Sequence, residues 1–152
     1  MPEALALAAG LPQGAHVLDI GCGPGWPISQ ALVDAGLRVT GLDSSARLLS
    51  MFADFFAWKK PIDSIVTNPP WSLMHDFVEH ALTLAPHVAF LTAVNHFWTK
   101  SRVKTVREAG FGYRQLLLIA CHPEGFIEMG FQLGVMHLQK GYDGPMQISS
   151  LR

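Results

Sequence analysis

The 152-residue chain carries 11 Lys and Arg against 12 Asp and Glu, a net charge of −1, and 49% of it is apolar. That length suits one domain burying roughly 68–70% of its unfolded surface without a metal or disulfide staple, and the apolar fraction excludes a disordered chain. Near-neutrality excludes a polyanion binder that relies on bulk positive charge, though not a local basic patch.

At the start of the chain, Glu3 stands where a signal peptide has basic residues and the apolar run is short, so residues 1–9 read as an opening helix. His16–Ile20 is a short buried strand that breaks into the glycine-rich stretch 21–25. A helix is expected over 27–35, stopping at Gly36, and Arg38–Leu42 is a second strand ending at Asp43. A short helix over 46–53 leads to Asp54. Residues 63–67 form a third strand, stopped by Asn68-Pro69-Pro70. Over 72–85 apolar residues recur at Leu73, Phe77, Ala81 and Leu84, a helical period with Ser72 as its expected cap. Residues 87–93 make another buried strand, and 100–109 a helix that ends at Gly110. The last two strands, 113–120 and 131–138, have no helix between them and are expected to pair antiparallel.

No repeat, low-complexity tract or linker divides the chain, so residues 1–152 read as a single domain. The fold class is α/β: a Rossmann-like, mostly parallel open sheet with helices on both faces and a C-terminal antiparallel strand pair. Such sheets bind ligands beyond the carboxyl ends of their strands, which singles out the loops after Ile20, Leu42 and Thr67. The stretch 80–99 lacks Asp, Glu, Lys and Arg, but Pro86, Asn95 and three histidines interrupt it, so no membrane span is expected. The two cysteines, Cys22 and Cys121, form no C-x-x-C pair, which fits a reducing, cytoplasmic setting.

Asp19-Ile20-Gly21-Cys22-Gly23-Pro24-Gly25 follows a strand and opens a helix, the context of a nucleotide loop, where glycines let the backbone turn tightly and approach a ligand. The dinucleotide fingerprint G-x-G-x-x-G would need glycine at position 26, which is Trp26. Asp19, two positions before Gly21, would repel a pyrophosphate and attract a ligand bearing an amino group and a sulfonium. Asp43, at the end of the second strand, is placed to accept hydrogen bonds from ribose hydroxyls.

Residues 17–45, through Gly21-Cys22-Gly23-Pro24-Gly25 to Asp43-Ser44-Ser45, resemble the class I S-adenosylmethionine-dependent methyltransferases, whose first motif reads D/E-x-G-x-G-x-G. The resemblance implies the class I methyltransferase fold with S-adenosyl-L-methionine as cofactor, held by Asp19, Gly21, Cys22, Gly23, Gly25, Asp43 and Ser44. It further implies that Asp54 accepts from the adenine amino group and that Phe55 lies against the ring. The interval from Asp43 to Asp54 is short for a full helix and strand, and Phe55 and Phe56 fit plain core equally well.

Asn68-Pro69-Pro70-Trp71 resembles the N-P-P-[YFW] motif of methyltransferases acting on amino groups conjugated to a π system. Such a nitrogen is a poor nucleophile. If the side-chain oxygen of Asn68 and the main-chain oxygen of Pro69 accept its two N–H bonds, they stabilise the charge that builds as a methyl group arrives. Pro70, following Pro69, fixes the backbone and removes a local donor, and Trp71 offers a face on which a base can stack. A strand-terminating turn with Trp71 as a buried staple is the plainer alternative. Cytosine C5 transfer needs a Pro-Cys nucleophile, and neither cysteine follows a proline. From Asp54 onward, with Asn68-Pro69-Pro70-Trp71-Ser72-Leu73 and the tail 140–145, the chain looks similar to small phage-type DNA adenine methyltransferases.

Trp98, Lys100 and Lys104 lie in a segment where bases follow aromatics, and Lys100, Lys104 and Arg107 share a helix face. That pattern suits phosphate contacts or a solvated amphipathic face. The seven histidines show no metal-ligand spacing, so no metal is expected. The sequence reading is therefore a methyltransferase transferring to an exocyclic amino group, adenine N6 in DNA ahead of RNA. A recognition partner or a homo-oligomer is expected, because 152 residues leave little room for target recognition. The alternatives are a small-molecule, RNA-base or protein-glutamine methyltransferase, or a non-catalytic cofactor-binding subunit.

Overall fold

The computed structural model describes residues 10–21, 28–42, 55–119 and 131–151. The expected helices over 1–9 and 46–53 lie outside these residues, as do Cys22, Gly23, Gly25, Asp43, Ser44 and Asp54. The described elements are β1 (His16–Ile20), α1 (Ile28–Asp34), β2 (Arg38–Leu42), β3 (Ser64–Thr67), α2 (Met74–Leu84), β4 (His87–Ala93), α3 (Lys100–Glu108), β5 (Phe111–Ile119), β6 (Leu133–Lys140) and β7 (Gln147–Leu151). Short 3-10 turns at Trp71–Leu73 and Val94–Phe97 precede α2 and α3.

Among the described residues, seven strands form one sheet in the order β2-β1-β3-β4-β6-β5-β7. β1 pairs parallel with β2 and β3, and β3 with β4, while β6 runs antiparallel to both β4 and β5. The antiparallel pair is thus as the sequence anticipates. β7 is an addition: it lies parallel to β5 at the sheet edge, with Gln115 opposite Gln147.

Strand alternation sorts the side chains into two layers. Leu18, Ile20, Ile65, Val88, Phe90, Met136 and Leu138 face a core completed by Phe77, Val78 and Ala81 of α2 and by Val106 of α3. Val17 points the other way and packs with Ala15, Leu32 and Leu37, so α1 covers the opposite face. In α2 the buried residues Met74, Phe77, Val78, Ala81, Leu82 and Leu84 recur at helical spacing and form the stripe laid on the sheet. Ser72 does not cap this helix: it lies inside the 3-10 turn, and Leu73 occupies the cap position without a side-chain bond. The turn takes up the first apolar position, so the helix starts at Met74. In α3 Thr99 does cap, its hydroxyl accepting from the backbone N–H of Arg102 at 3.2 Å.

Candidate active site

Three strands end level at one edge of the sheet. Ile20 is the register partner of both Leu42 and Thr67, and the hydroxyl of Thr67 donates to the carbonyl of Ile20 at 3.2 Å. Gly21 continues from β1 with φ at +85°, a backbone conformation that L side chains rarely adopt, and its N–H donates to the carbonyl of Leu42 at 2.8 Å. Adjacent strands lie about 4.8 Å apart, so Gly21 and Asn68, the residues following Ile20 and Thr67, leave the sheet side by side.

Asp19 is 3% exposed and sits on the α1 face, where its Oδ2 accepts from the hydroxyl of Ser29 at 2.6 Å. This short bond ties the end of β1 to the start of α1 across the sheet's carboxyl edge.

The loop after β3 separates its residues by exposure. Asn68 is exposed, Pro69 buried and Pro70 half-buried. Pro70 is extended, with φ −62° and ψ 135°, and its carbonyl accepts from the N–H of Leu73 at 3.0 Å. The buried proline pins the turn while the asparagine projects. Trp71 is 39% exposed, which removes the buried-staple alternative. Its ring lies 5.3 Å from that of His96 at 40°, and 5.5 Å from that of Phe131 at 89°.

His96 and Phe131 are additions to the sequence-derived site. They follow β4 and precede β6, and neither carries a local motif. Their common signal is topological: both lie at the same edge of the sheet as the end of β3, because Ala93 is the register partner of Leu133. Burial, and then the charge of Arg102, hold the pKa of His96 below 6.5, so a neutral ring stands beside Trp71 near pH 7. Trp71, His96 and the 48%-exposed Phe131 form an aromatic corner at the turn that follows Asn68-Pro69-Pro70.

Other expected site residues go elsewhere. Phe55 is fully buried, stacked on Phe77 at 4.8 Å and 23° and edge-on to His80 at 4.9 Å, which is core placement with no face left for an adenine. His80 fastens this segment to α2 through the carbonyls of Phe55 and Trp58 at 3.0 and 3.1 Å. Trp98 stacks on Tyr113 at 5.1 Å and 28°, and Tyr113 is level with Leu138 and hence with Val88, in the amino-terminal half of β4. Trp98 is therefore not brought against Trp71. Lys100 and Lys104 are exposed, and Lys104 makes a solvent-facing ion pair with Glu108 at 3.8 Å, the arrangement of a solvated face. Among the described residues no group of three or more His, Cys, Asp or Glu could hold a metal ion, and no helix is long and apolar enough to cross a membrane.

This fold is similar to those of solved methyltransferases. The 23S rRNA methyltransferase ErmE matches with a TM-score of 0.62 at 16% identity, covering 93% of this chain and 70% of that one. The chain has the class I methyltransferase fold. A TehB-like S-adenosylmethionine-dependent methyltransferase from Corynebacterium glutamicum shares this fold with a TM-score of 0.55 at 20% identity, covering 91% of this chain and 86% of that one. In sequence, 47 residues are 55% identical to the malonyl-[acyl-carrier protein] O-methyltransferase of Erwinia billingiae. That match spans 31% of this chain and 18% of the relative. No protein-family model matches the chain.

Proposed function

We propose that the protein is an S-adenosylmethionine-dependent methyltransferase acting on the exocyclic amino group of a nucleobase, with adenine N6 in DNA as the acceptor. What supports this reading is that exposed Asn68 and Gly21 are the residues that follow the register partners Thr67 and Ile20, with the 39%-exposed Trp71 three residues further on. The described residues fit the cofactor: the left-handed turn at Gly21 admits close backbone approach, and buried Asp19 favours a cation above it. The methyltransferase fold and the matched segment support the same cofactor.

Bound S-adenosylmethionine supplies an electrophilic methyl group. The residues of this chain would act on the acceptor. Trp71 holds the base by stacking, with His96 and Phe131 as the walls that limit its tilt. The side-chain oxygen of Asn68 and the carbonyl of Pro69 accept the two amino N–H bonds, which become more acidic as the nitrogen gains positive charge. No strong base is needed at the moment of transfer.

Asn68→Ala tests this reading. Transfer to adenine-containing DNA should fall about 10²- to 10³-fold while the cofactor still raises the melting temperature as in the wild type. Undiminished transfer by the variant would refute the role of Asn68, and stabilisation by NAD instead of S-adenosylmethionine would refute the cofactor.

A further inference from the structure

The sheet ends on β7, and that edge is open: Gln147, Ile148, Ser149 and Ser150 are all exposed. Natural sheets guard an edge against pairing with another chain by charge, proline, a bulge, extreme shortness or a covering segment. β7 uses none of these. Its five residues, an ordinary strand length, include no Asp, Glu, Lys, Arg or Pro. Its pairing with β5 runs through five consecutive pairs without a register shift, from Gln115 with Gln147 to Ile119 with Leu151. β7 is also braced from behind. The connection from β6 passes β5 over residues 141–146, where the hydroxyl of Tyr142 donates to the carbonyl of Pro145 at 2.6 Å and the guanidinium of Arg114 lies 5.3 Å from the Tyr142 ring. A strand with little propensity of its own is thus held in place with its outer backbone donors and acceptors free to pair.

The chemistry of the edge selects its occupant. Met136, Leu116 and Ile148 are successive register partners across β6, β5 and β7, so their side chains share one face. The first two are 1% and 5% exposed and the third 62%, so an apolar row of the core runs off the edge unfinished. A foreign peptide added as a strand is selected by pockets for its alternate side chains or by charge, and β7, uncharged and exposed along 147–150, supplies neither. A second copy requires neither. Under a twofold axis normal to the sheet and centred on Ser149, β7 meets its mate antiparallel, and the two Ile148 side chains become diagonal neighbours on the same face. The apolar row then continues from one copy into the next. A charged fraction of 15%, against about 25% in ordinary soluble chains, fits a surface of which part is covered by a like chain.

We infer that β7 is a homodimer interface, through which two copies of the chain pair edge to edge about a twofold axis into one continuous sheet. β7 runs in the same direction as β1 to β4, so the antiparallel pairing turns the two candidate sites to opposite edges of the joint sheet and leaves both open. A five-residue strand buries less than the roughly 1,200 Å² of a standard interface, so the dimer is a weak one that dilution dissociates. The inference is independent of the methyl acceptor.

The test is sedimentation velocity of the full chain from about 1 to 200 µM, a range that spans weak association. It compares the wild type, Ile148→Lys, Ile148→Glu and a control, Val33→Lys, which changes a 50%-exposed apolar residue on α1. The wild type and Val33→Lys should pass from monomer to dimer across this range. Ile148→Lys and Ile148→Glu should each stay monomeric, because like charges then meet across the axis. An equimolar mixture of the two should dimerise again, a recovery that requires position 148 of one copy to lie near position 148 of the other. At the lowest concentration all four proteins should melt alike, since the altered side chains are exposed. A wild type that stays monomeric at the highest concentration, open-ended oligomers, charge variants at position 148 that dimerise undiminished, or a mixture that fails to recover would each overturn the inference.

Discussion

Replacing His137 with Leu should remove a defined part of the protein's acid sensitivity. His137 lies on β6 and is 6% exposed, its Nε2 3.1 Å from Nδ1 of half-buried His87 on β4. One ring must donate to the other, so the pair is compact only while it holds fewer than two extra protons. Burial first, then the charges of His87 and Arg114, lower the pKa of His137 from 6.5 to about 4. His87 is lowered too, by burial and Arg114, with Asp63 opposing. Because the folded pKa lies below the unfolded one, the unfolded chain takes up a proton that the folded chain refuses. His137 therefore imposes no penalty above pH 6.5, and stability is lost as pH falls from there through about 4. The full difference is roughly 3 kcal/mol, of which about 2 kcal/mol has gone by pH 5. Urea unfolding followed by tryptophan fluorescence at pH 7.5 and pH 5 should show the wild type losing about 2 kcal/mol more than His137→Leu. Equal losses in the two proteins would refute the assignment of a buried, proton-refusing His137.

Three further outcomes follow from particular contacts. Trp71→Ala should weaken acceptor binding by ~1–3 kcal/mol, roughly 5- to 150-fold, in a titration with an adenine-containing oligonucleotide, with cofactor affinity unchanged. Gly112→Ala drives a Cβ into the backbone carbonyl of Tyr142, which cannot swing aside like a side-chain tip, so it should destabilise by ~1–3 kcal/mol in thermal unfolding. Glu108→Ala removes an ion pair whose partners are 72% and 67% exposed, and should change stability by about 0.5 kcal/mol or less in the same assay.

The sheet was legible in the sequence wherever a strand is buried on both faces. His16–Ile20, 63–67 and 87–93 are short runs centred on Val, Leu, Ile or Phe, the first closed by Gly21 and the second by Asn68-Pro69, and the structure places strands there, the second shortened to Ser64–Thr67. β7 escaped because Gln-Ile-Ser-Ser-Leu carries no strand signal of its own: it exists through pairing with β5, and Ile148 is 62% exposed. Asn68 and Trp71 could be picked out because their chemistry is concentrated in consecutive residues. His96 and Phe131 could not, since only the register of β4 against β6 brings them to Trp71. Phe55 shows the reverse limit: the aromatic that a motif would place on an adenine packs instead on Phe77 and His80.

The central claim, methyl transfer to a nucleobase amino group, is tested most directly by incubating the purified protein with S-adenosylmethionine labelled in the methyl group. DNA, RNA, protein and small-molecule pools would be offered separately, followed by nucleoside analysis of the labelled product. The expected result is label in DNA recovered as N6-methyladenine, lost in Asn68→Ala. Label confined to the protein or small-molecule pool, or to a base position without an exocyclic amino group, would contradict it.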